Sequence, residues 1–183
     1  RFFGSDGRNV YVAGNLPVYY PDEPMFSPDL IAVVDVSPHF RNSWVKDAEG
    51  RGLDFALELI WSGRRRKDLA DNVDKYARLG IPEYFVFDMP RRLLLAYRLD
   101  PDEAAYRPMS THAGVYSSHA LGLGVTLEGA KLRFLAGTAP IPDPEELIDR
   151  LESTVDSGLS RLRELEAALE QEQKAREQEQ KAR

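Results

Sequence analysis

The apolar and polar positions divide the chain into strand-like segments, one helical segment and a heptad-patterned tail. Apolar, β-branched runs of strand length occur at 29–36 and 53–62. Shorter strand-like segments, NVYVAG and LPVYY, precede them, and SPHFRNSWVKDAEGRG between them reads as a loop. More strand-like segments follow as far as LRFLAG, and the first two flank a turn at 89–91. This order predicts a sheet at the centre of the fold.

The segment that follows residue 67 has the spacing of a helix. One helical face holds four apolar positions, between Asp68 as the expected N-cap and Gly80 as the expected C-cap: Leu69, Val73, Tyr76 and Ala77. This helix separates strand 53–62 from strand 83–88, which makes a right-handed crossover if the two strands are parallel. The sequence therefore predicts an α/β fold of the mixed α+β kind, with a mixed central sheet flanked by helices.

The pattern changes at residue 142, after which a long helix with a seven-residue repeat is expected. The apolar positions of this repeat are Ile148, Val155, Leu162 and Leu169 at a, with Leu151 and Leu165 at d. A duplicated EQEQKAR follows, which keeps the period and loses the apolar seam. Two interpretations stay open, a coiled-coil stalk that makes a homo-oligomer, or one amphipathic helix packed on the domain. We therefore divide the chain into a globular domain, 1–141, and an acidic helical tail, 142–183.

The net charge of −6 follows the same division. Residues 1–141 hold 17 Lys and Arg against 18 Asp and Glu, whereas residues 142–183 hold 7 against 12. The globular part is thus close to neutral, and the acidic balance of the whole chain is a poor argument against a nucleic-acid substrate.

The composition also indicates the cellular compartment in which the protein works. The chain has no cysteine, which excludes disulfides and thiolate metal sites. It has no apolar run of about 18 residues, so we expect no membrane span, and no signal peptide is visible. These features favour a cytoplasmic protein. Because the sequence begins at Arg1 without methionine, we expect that its N-terminus is truncated.

Two carboxylates fall where the predicted strands could bring them together. Glu58 lies in the middle of the apolar run DFALELIW, where an unpaired buried charge costs several kcal/mol. Alternation turns Glu58 away from the most apolar side of its strand and places Asp29 at the start of strand 29–36. If the strands are neighbours, the carboxylates converge, and Mg²⁺ would relieve their repulsion. A salt bridge from Glu58 to a nearby arginine, and a turn role for Asp29, are the structural alternatives.

A basic run follows the Glu58 strand and is a candidate nucleic-acid-binding segment. Its members are Arg64, Arg65, Arg66 and Lys67. Arginine can contact a phosphate through two hydrogen bonds, so the run could hold a nucleic-acid backbone. A solvated surface loop is the competing interpretation.

These residues carry a resemblance to a known family. The segments SPDLIAVVDV and LDFALELIWSGRRRKDLADNVDKYARLGIPEYFVFD resemble the Uma-type restriction endonuclease family of the PD-(D/E)XK nuclease superfamily. The match runs from NVYVAGNLPVYY to LRFLAG, and KYARLGIPEYFVFD is its most specific stretch. Pro28 and Asp29 correspond to the family's PD, Glu58 to its strand carboxylate and Ser62 to the serine that follows.

The resemblance implies a restriction-endonuclease-like fold and metal-dependent cleavage of phosphodiester bonds. DNA is then the expected partner, and Mg²⁺ or Mn²⁺ the expected cofactor. Asp29 and Glu58 become the expected metal ligands and catalytic carboxylates.

One position departs from the family pattern. Family members usually carry the motif's lysine on the helix after the Glu strand, and Asn72 stands at that position here. Lys75 lies about 60° further round the helix and could reach the same site with its long stem. Asparagine can hold a water or a phosphate oxygen but cannot supply a positive charge. Asn72 and Lys75 are therefore both candidate catalytic residues.

Two functions are thus weighed. In the first, the protein is a hydrolase, a metal-dependent DNA endonuclease. In the second, it is a weakened or inactive module that keeps the nuclease fold, binds nucleic acid or protein, and assembles through its C-terminal helix. The missing lysine favours the second function, whereas the presence of both carboxylates favours the first.

Overall fold

The computed structural model describes residues 9–61, 67–100 and 102–181. It divides into two compact units, Arg1–Pro140 and Ile141–Arg183, and each is described by itself. The strands, in chain order, are β1 (Val10–Gly14), β2 (Val18–Tyr19), β3 (Leu30–Val34), β4 (Trp44–Val45), β5 (Phe55–Ile60), β6 (Glu83–Asp88), β7 (Leu93–Asp100), β8 (Ala105–Pro108), β9 (Tyr116–Ser118), β10 (Leu123–Glu128), β11 (Lys131–Ala136) and β12 (Ala139–Pro140). The helices are α1 (Lys46–Glu49), α2 (Asn72–Arg78) and α3 (Pro144–Lys181).

The central sheet has the strand order β1-β3-β5-β6-β7-β8. Strands β5 and β6 are parallel, and the other neighbouring pairs are antiparallel. Parallel neighbours need a long connection between them, and α2 supplies it. The predicted mixed α/β fold, with a mixed sheet, few helices and a long C-terminal helix, is confirmed.

Helix α2 continues from a π-helical turn at Lys67–Asp71 and ends in a Schellman motif. Gly80 takes φ +76°, its N–H donates to Ala77, and the N–H of Ile81 donates to Tyr76, both at 3.0 Å. The expected role of Gly80 is therefore confirmed. Asp68 lies inside the helical turn, so its prediction as the N-cap is wrong.

The largest cluster of buried apolar side chains lies on the face of the sheet that α2 covers. Tyr76 meets Tyr84 edge to face with ring centroids 5.0 Å apart, and Ile60 and Val86 belong to the same cluster. Glu58 shares this face with Ile60, because the two residues alternate along β5. Alternation separates Glu58 from Phe55 and Leu57 as expected, but the face that it shares with Ile60 also borders the main apolar cluster.

A second sheet covers the opposite face of the central one. Its strand order is β12-β11-β10-β9, and Tyr116 of β9 packs edge-on against Phe85 with ring centroids 6.0 Å apart. The Tyr116 hydroxyl also donates to the carbonyl of Leu94 at 3.1 Å. Both faces of β5 are therefore buried, which accounts for its nearly continuous apolar run.

The buried Glu83 joins the two sheets through hydrogen bonds. It accepts from Arg98 at 2.9 Å, from the backbone N–H of His119 at 2.8 Å and from the hydroxyl of Ser118. Removing this carboxylate would leave several buried donors without their acceptor, so we assign Glu83 to the structure of the domain.

The segment 37–52, expected to be a loop, contains β4 and the one-turn α1. Parallel pairing of β2 with β4 ties it to the domain. Arg41 fixes it further, since its guanidinium donates to both carboxylate oxygens of Glu49 at 2.6 and 3.1 Å and lies over the rings of Tyr11 and Trp44. The hydrogen bond from Arg41 lowers the pKa of Glu49. The loop prediction is therefore wrong in detail.

The second unit consists mainly of α3. Asp143 and Glu146 form a capping box, in which the N–H of Glu146 donates to Asp143 at 3.1 Å and the N–H of Asp143 donates to Glu146 at 3.3 Å. The apolar heptad positions are exposed along the helix. In the part of the chain that the structure describes, no helix combines the length and apolar character that crossing a membrane requires.

Candidate active site

Asp29 and Glu58 face each other across the β3–β5 pair. The antiparallel register sets Leu30 opposite Leu57, and its continuation by one residue sets Asp29 opposite Glu58. Residues opposite each other in an antiparallel pair project from the same face. The N–H of Leu59 donates to Asp29 Oδ2 at 2.7 Å, and the N–H of Asp29 lies 3.4 Å from Glu58 Oε2. The structure thus brings the two predicted carboxylates together.

Two side chains of α2 hold the carboxylate of Glu58. The Tyr76 hydroxyl donates to Glu58 Oε1 at 2.7 Å, and Asn72 Nδ2 donates to the same oxygen at 3.3 Å. Asn72 and Tyr76 are one helical turn apart and therefore lie on the same face of α2. Glu58 is 8 % exposed and Asn72 is 2 % exposed, so both lie in the interior of the domain. These bonds fix the orientation of the Glu58 carboxylate.

Lys75 lies beside this cluster, against aromatic rings. Its Nζ is 4.6 Å from the ring centroid of Phe26 and 4.8 Å from that of Tyr76. Cation–π contact with two rings directs the amine along the side of α2 that faces Phe26. Asn72 therefore touches Glu58 directly, while Lys75 lies next to Tyr76, which also touches it.

The basic run falls mostly outside the described residues. Arg64, Arg65 and Arg66 lie there, as does Ser62. Lys67 begins the helical turn before α2, and its side chain is also outside the description. The predicted nucleic-acid-binding role of these four cations therefore stays a prediction.

The donor set at Asp29 and Glu58 suits a hard divalent cation. Mg²⁺ takes oxygen ligands and is commonly held by one or two carboxylates, with waters and substrate phosphate completing its shell. Glu58 Oε1 already accepts from Tyr76 and Asn72, so Glu58 Oε2 and the Asp29 carboxylate are the candidate ligand atoms. Within residues 9–61, 67–100 and 102–181, no group of three His, Cys, Asp or Glu side chains is arranged to hold a metal. The site therefore fits an ion that keeps most of its waters.

Two polar residues near the site escape sequence reasoning. Sequence alone places Tyr76 in the core, and it is buried there, yet its hydroxyl reaches Glu58. Two sequence features could have indicated this contact. Tyr76 lies four residues after Asn72, and the hydroxyl of a buried tyrosine usually has a hydrogen-bond partner. Asp88 is buried at the end of β6, opposite Ile60, and accepts from the backbone and side chain of Arg91 at 3.2 Å each. The sequence feature that could have indicated Asp88 is its position as a carboxylate at the end of an apolar strand.

A mixed sheet with a carboxylate pair on its buried face, next to a crossover helix, is the arrangement expected of a nuclease of the restriction-endonuclease type. Comparison with known families supports this class. Residues 2–132 match the model of the Uma2 family, described as a putative restriction endonuclease, and the chain belongs to that family. The resemblance noted in the sequence is thereby confirmed, and it supports a nuclease, and so a hydrolase, as the general class of protein. Comparison with curated proteins finds no match.

Proposed function

We propose that this protein is a metal-dependent endonuclease that hydrolyses phosphodiester bonds in DNA. The observation that carries the proposal is the meeting of Asp29 and Glu58 across β3 and β5. Two carboxylates on one face of neighbouring strands repel each other unless a cation or a proton lies between them. Membership of the family supports nuclease chemistry as the reason for this arrangement.

In this proposal Asp29 and Glu58 hold Mg²⁺ or Mn²⁺. As a Lewis acid, a bound divalent ion would stabilise negative charge on a phosphoryl oxygen and would lower the pKa of the water bound to it. Tyr76 keeps the Glu58 carboxylate in one orientation through its 2.7 Å hydrogen bond. Hydrolysis adds water to phosphorus and breaks the bond to one ester oxygen, which leaves with a proton.

Asn72 and Lys75 are the proposed groups that orient the attacking water. The Asn72 amide is in contact with Glu58, and an amide is a group that can orient a water or a phosphate oxygen by hydrogen bonding. The Lys75 amine brings the positive charge that Asn72 lacks, from a position against Phe26 and Tyr76. Arg64, Arg65, Arg66 and Lys67 would hold the phosphate backbone beyond the end of β5.

The proposal is tested with supercoiled plasmid DNA. We expect the wild-type protein to convert it to nicked and linear forms with Mg²⁺ or Mn²⁺ and to leave it intact with EDTA. Glu58→Gln keeps a carbonyl oxygen that can accept from Tyr76 and Asn72, and it should leave the plasmid intact under both conditions. Equal cleavage by the wild type and this variant would refute the proposal.

A second candidate function rests on Asn72. Because asparagine stands where the family usually has lysine, the fold could serve as a weakly active or inactive module that binds nucleic acid or protein. Binding of a labelled DNA duplex, in the absence of any metal-dependent cleavage, would favour this function.

We also propose that the chain comprises a nuclease domain, 1–141, and a tail, 142–183, that joins two copies in the cytoplasm. Alone, α3 cannot bury its row of apolar side chains, and a second copy presents the same row. In a parallel pair, Arg161 at position g lies opposite Glu166 at position e of the partner helix, five residues on. This pairing of opposite charges favours the parallel arrangement.

Sedimentation of the full chain tests the tail. We expect a dimer for the wild type and a monomer for Leu162→Glu, which puts a carboxylate into the apolar seam. Ser160→Glu adds the same charge at the outward f position and should leave the dimer intact. A monomeric wild type, or dissociation by both substitutions alike, would contradict the pairing.

A further inference from the structure

The end of the central sheet where β5 and β6 finish holds an exposed aromatic side chain and an ordered basic turn. The N–H of Met89 donates to the carbonyl of Ile60 at 3.1 Å, so Trp61 emerges beside the turn Met89–Arg92. The register of β5 and β6 sets Ile60 opposite Asp88, immediately before this turn. We call Trp61, Arg91 and Arg92 the edge surface.

Trp61 is 70 % exposed although it directly follows a buried strand. Phe40 is more exposed still, at 86 %, so what distinguishes Trp61 is its position beside two cationic side chains at the end of β5. Trp44, the chain's other tryptophan, is 0 % exposed and belongs to the core. In single-stranded or unpaired nucleic acid, indole rings pack on bases, whose faces are available there whatever the sequence.

The turn that follows β6 presents two arginines in a fixed arrangement. Asp88 accepts from the N–H and the guanidinium of Arg91, and the N–H of Arg92 donates to Met89 at 3.2 Å, which closes the turn. Pro90 fixes the first central position of that turn. The Arg91 side chain is 56 % exposed, and Arg92 is exposed as well. The turn thus fixes the backbone of both arginines, and Asp88 also orients the guanidinium of Arg91.

We propose that the edge surface binds the DNA backbone next to the cleaved phosphate. This inference rests on the proposed nuclease function and adds residues beyond the basic run. Glu58 lies two residues, or about 7 Å, from the end of β5, so the edge surface is within reach of a DNA strand whose phosphate lies at Glu58. Arg91 and Arg92 then contact consecutive phosphates, and Trp61 packs on the adjoining base.

The binding of DNA can be measured apart from cleavage, with a fluorescein-labelled DNA duplex that carries a single-stranded overhang, in EDTA. We expect the duplex to protect the tryptophan fluorescence from acrylamide, and Trp61→Phe to remove this protection, since Trp44 is shielded in either state. Trp61→Ala should weaken binding roughly fivefold or more. Protection that persists in Trp61→Phe would overturn the role of Trp61.

The salt dependence of binding tests the two arginines. Arg91→Gln and Arg92→Gln should each reduce the slope of log affinity against log salt by about 1, because each removes one phosphate contact. Arg91→Lys keeps the charge and should keep the slope, as should Arg107→Gln, an exposed arginine on β8 near the opposite end of the sheet. Unchanged slopes for both Arg91→Gln and Arg92→Gln would overturn the proposal.

Failure of this inference differs from failure of the proposed function. Cleavage by the wild type, combined with an unprotected Trp61 and unchanged salt slopes, would refute the edge surface alone. Protection of Trp61 and reduced slopes, without cleavage in Mg²⁺ or Mn²⁺, would support the edge surface and refute the nuclease.

Discussion

Asp29→Asn is expected to weaken Mn²⁺ binding strongly and to make the metal-free protein more stable. Asparagine keeps a carbonyl oxygen that can accept the N–H of Leu59, so the 2.7 Å hydrogen bond that holds this position is retained. What the substitution removes is one of two neighbouring negative charges. We expect the free energy of unfolding to rise by about 1 kcal/mol, as when other strained functional positions are neutralised.

The same substitution should lower the rate of DNA cleavage by at least about 10²-fold, since a cation held by one carboxylate is bound more weakly and less precisely. Calorimetric titration with Mn²⁺, denaturant unfolding and plasmid cleavage measure the three effects. The combination is diagnostic, because a purely structural carboxylate would lose stability on substitution.

Asp35→Asn is the matched control for this experiment. Asp35 follows the other end of β3, is exposed and takes φ +58°, a conformation that asparagine tolerates. It should bind Mn²⁺ and cleave DNA like the wild type. A loss of stability in Asp29→Asn with Mn²⁺ binding unchanged would show that Asp29 has only a structural role.

The meeting of Asp29 and Glu58 could be anticipated because it follows from local rules and one assumption. Strand alternation fixes which residues share a face, and both strands can be recognised in the sequence as apolar, β-branched runs. The assumption is that β3 and β5 are neighbours, which local sequence does not encode. The structure supplies that adjacency and the register.

The hydrogen bonds to Glu58 could not be read from the sequence. They depend on how α2 docks against the sheet, since a rotation of the helix would separate Tyr76 from Glu58 while keeping its spacing from Asn72. The burial of Glu58 was predicted, but the layer that covers it could not be identified, for a related reason. Alternation identifies two faces of a strand but does not tell which layer will cover each of them.

Short elements escaped prediction because they fall below the length at which a period is visible. Strand β4 has two residues and α1 has four, so neither repeats its pattern. The separation of β9 to β12 into a sheet of their own was also hidden. Their strand character is local, whereas the sheet to which a strand belongs is decided by pairing with distant residues.

Asn72→Lys is expected to raise metal-dependent cleavage by about 10²-fold, the scale of one well-placed charged group in an active site. Asn72 is buried against Glu58, so a lysine there would place its ammonium group beside the carboxylate and the reacting phosphate. Lys75 cannot fully replace it, because its amine lies against the rings of Phe26 and Tyr76. Initial rates of plasmid cleavage in Mg²⁺ measure the effect.

Ala70→Lys is the control, since it adds the same charge at an exposed position of the preceding helical turn and should leave the rate unchanged.

Lys75→Gln separates the two candidates for the positive charge. If Lys75 supplies it in the wild type, Lys75→Gln should lower the rate, and Asn72→Lys should restore it in the double variant. If Asn72→Lys folds, binds Mn²⁺ and cleaves no faster than the wild type, the missing lysine does not limit catalysis. Inactivity of both proteins would then favour a binding module, because the carboxylates and the restored lysine together would still lack some other part of a nuclease.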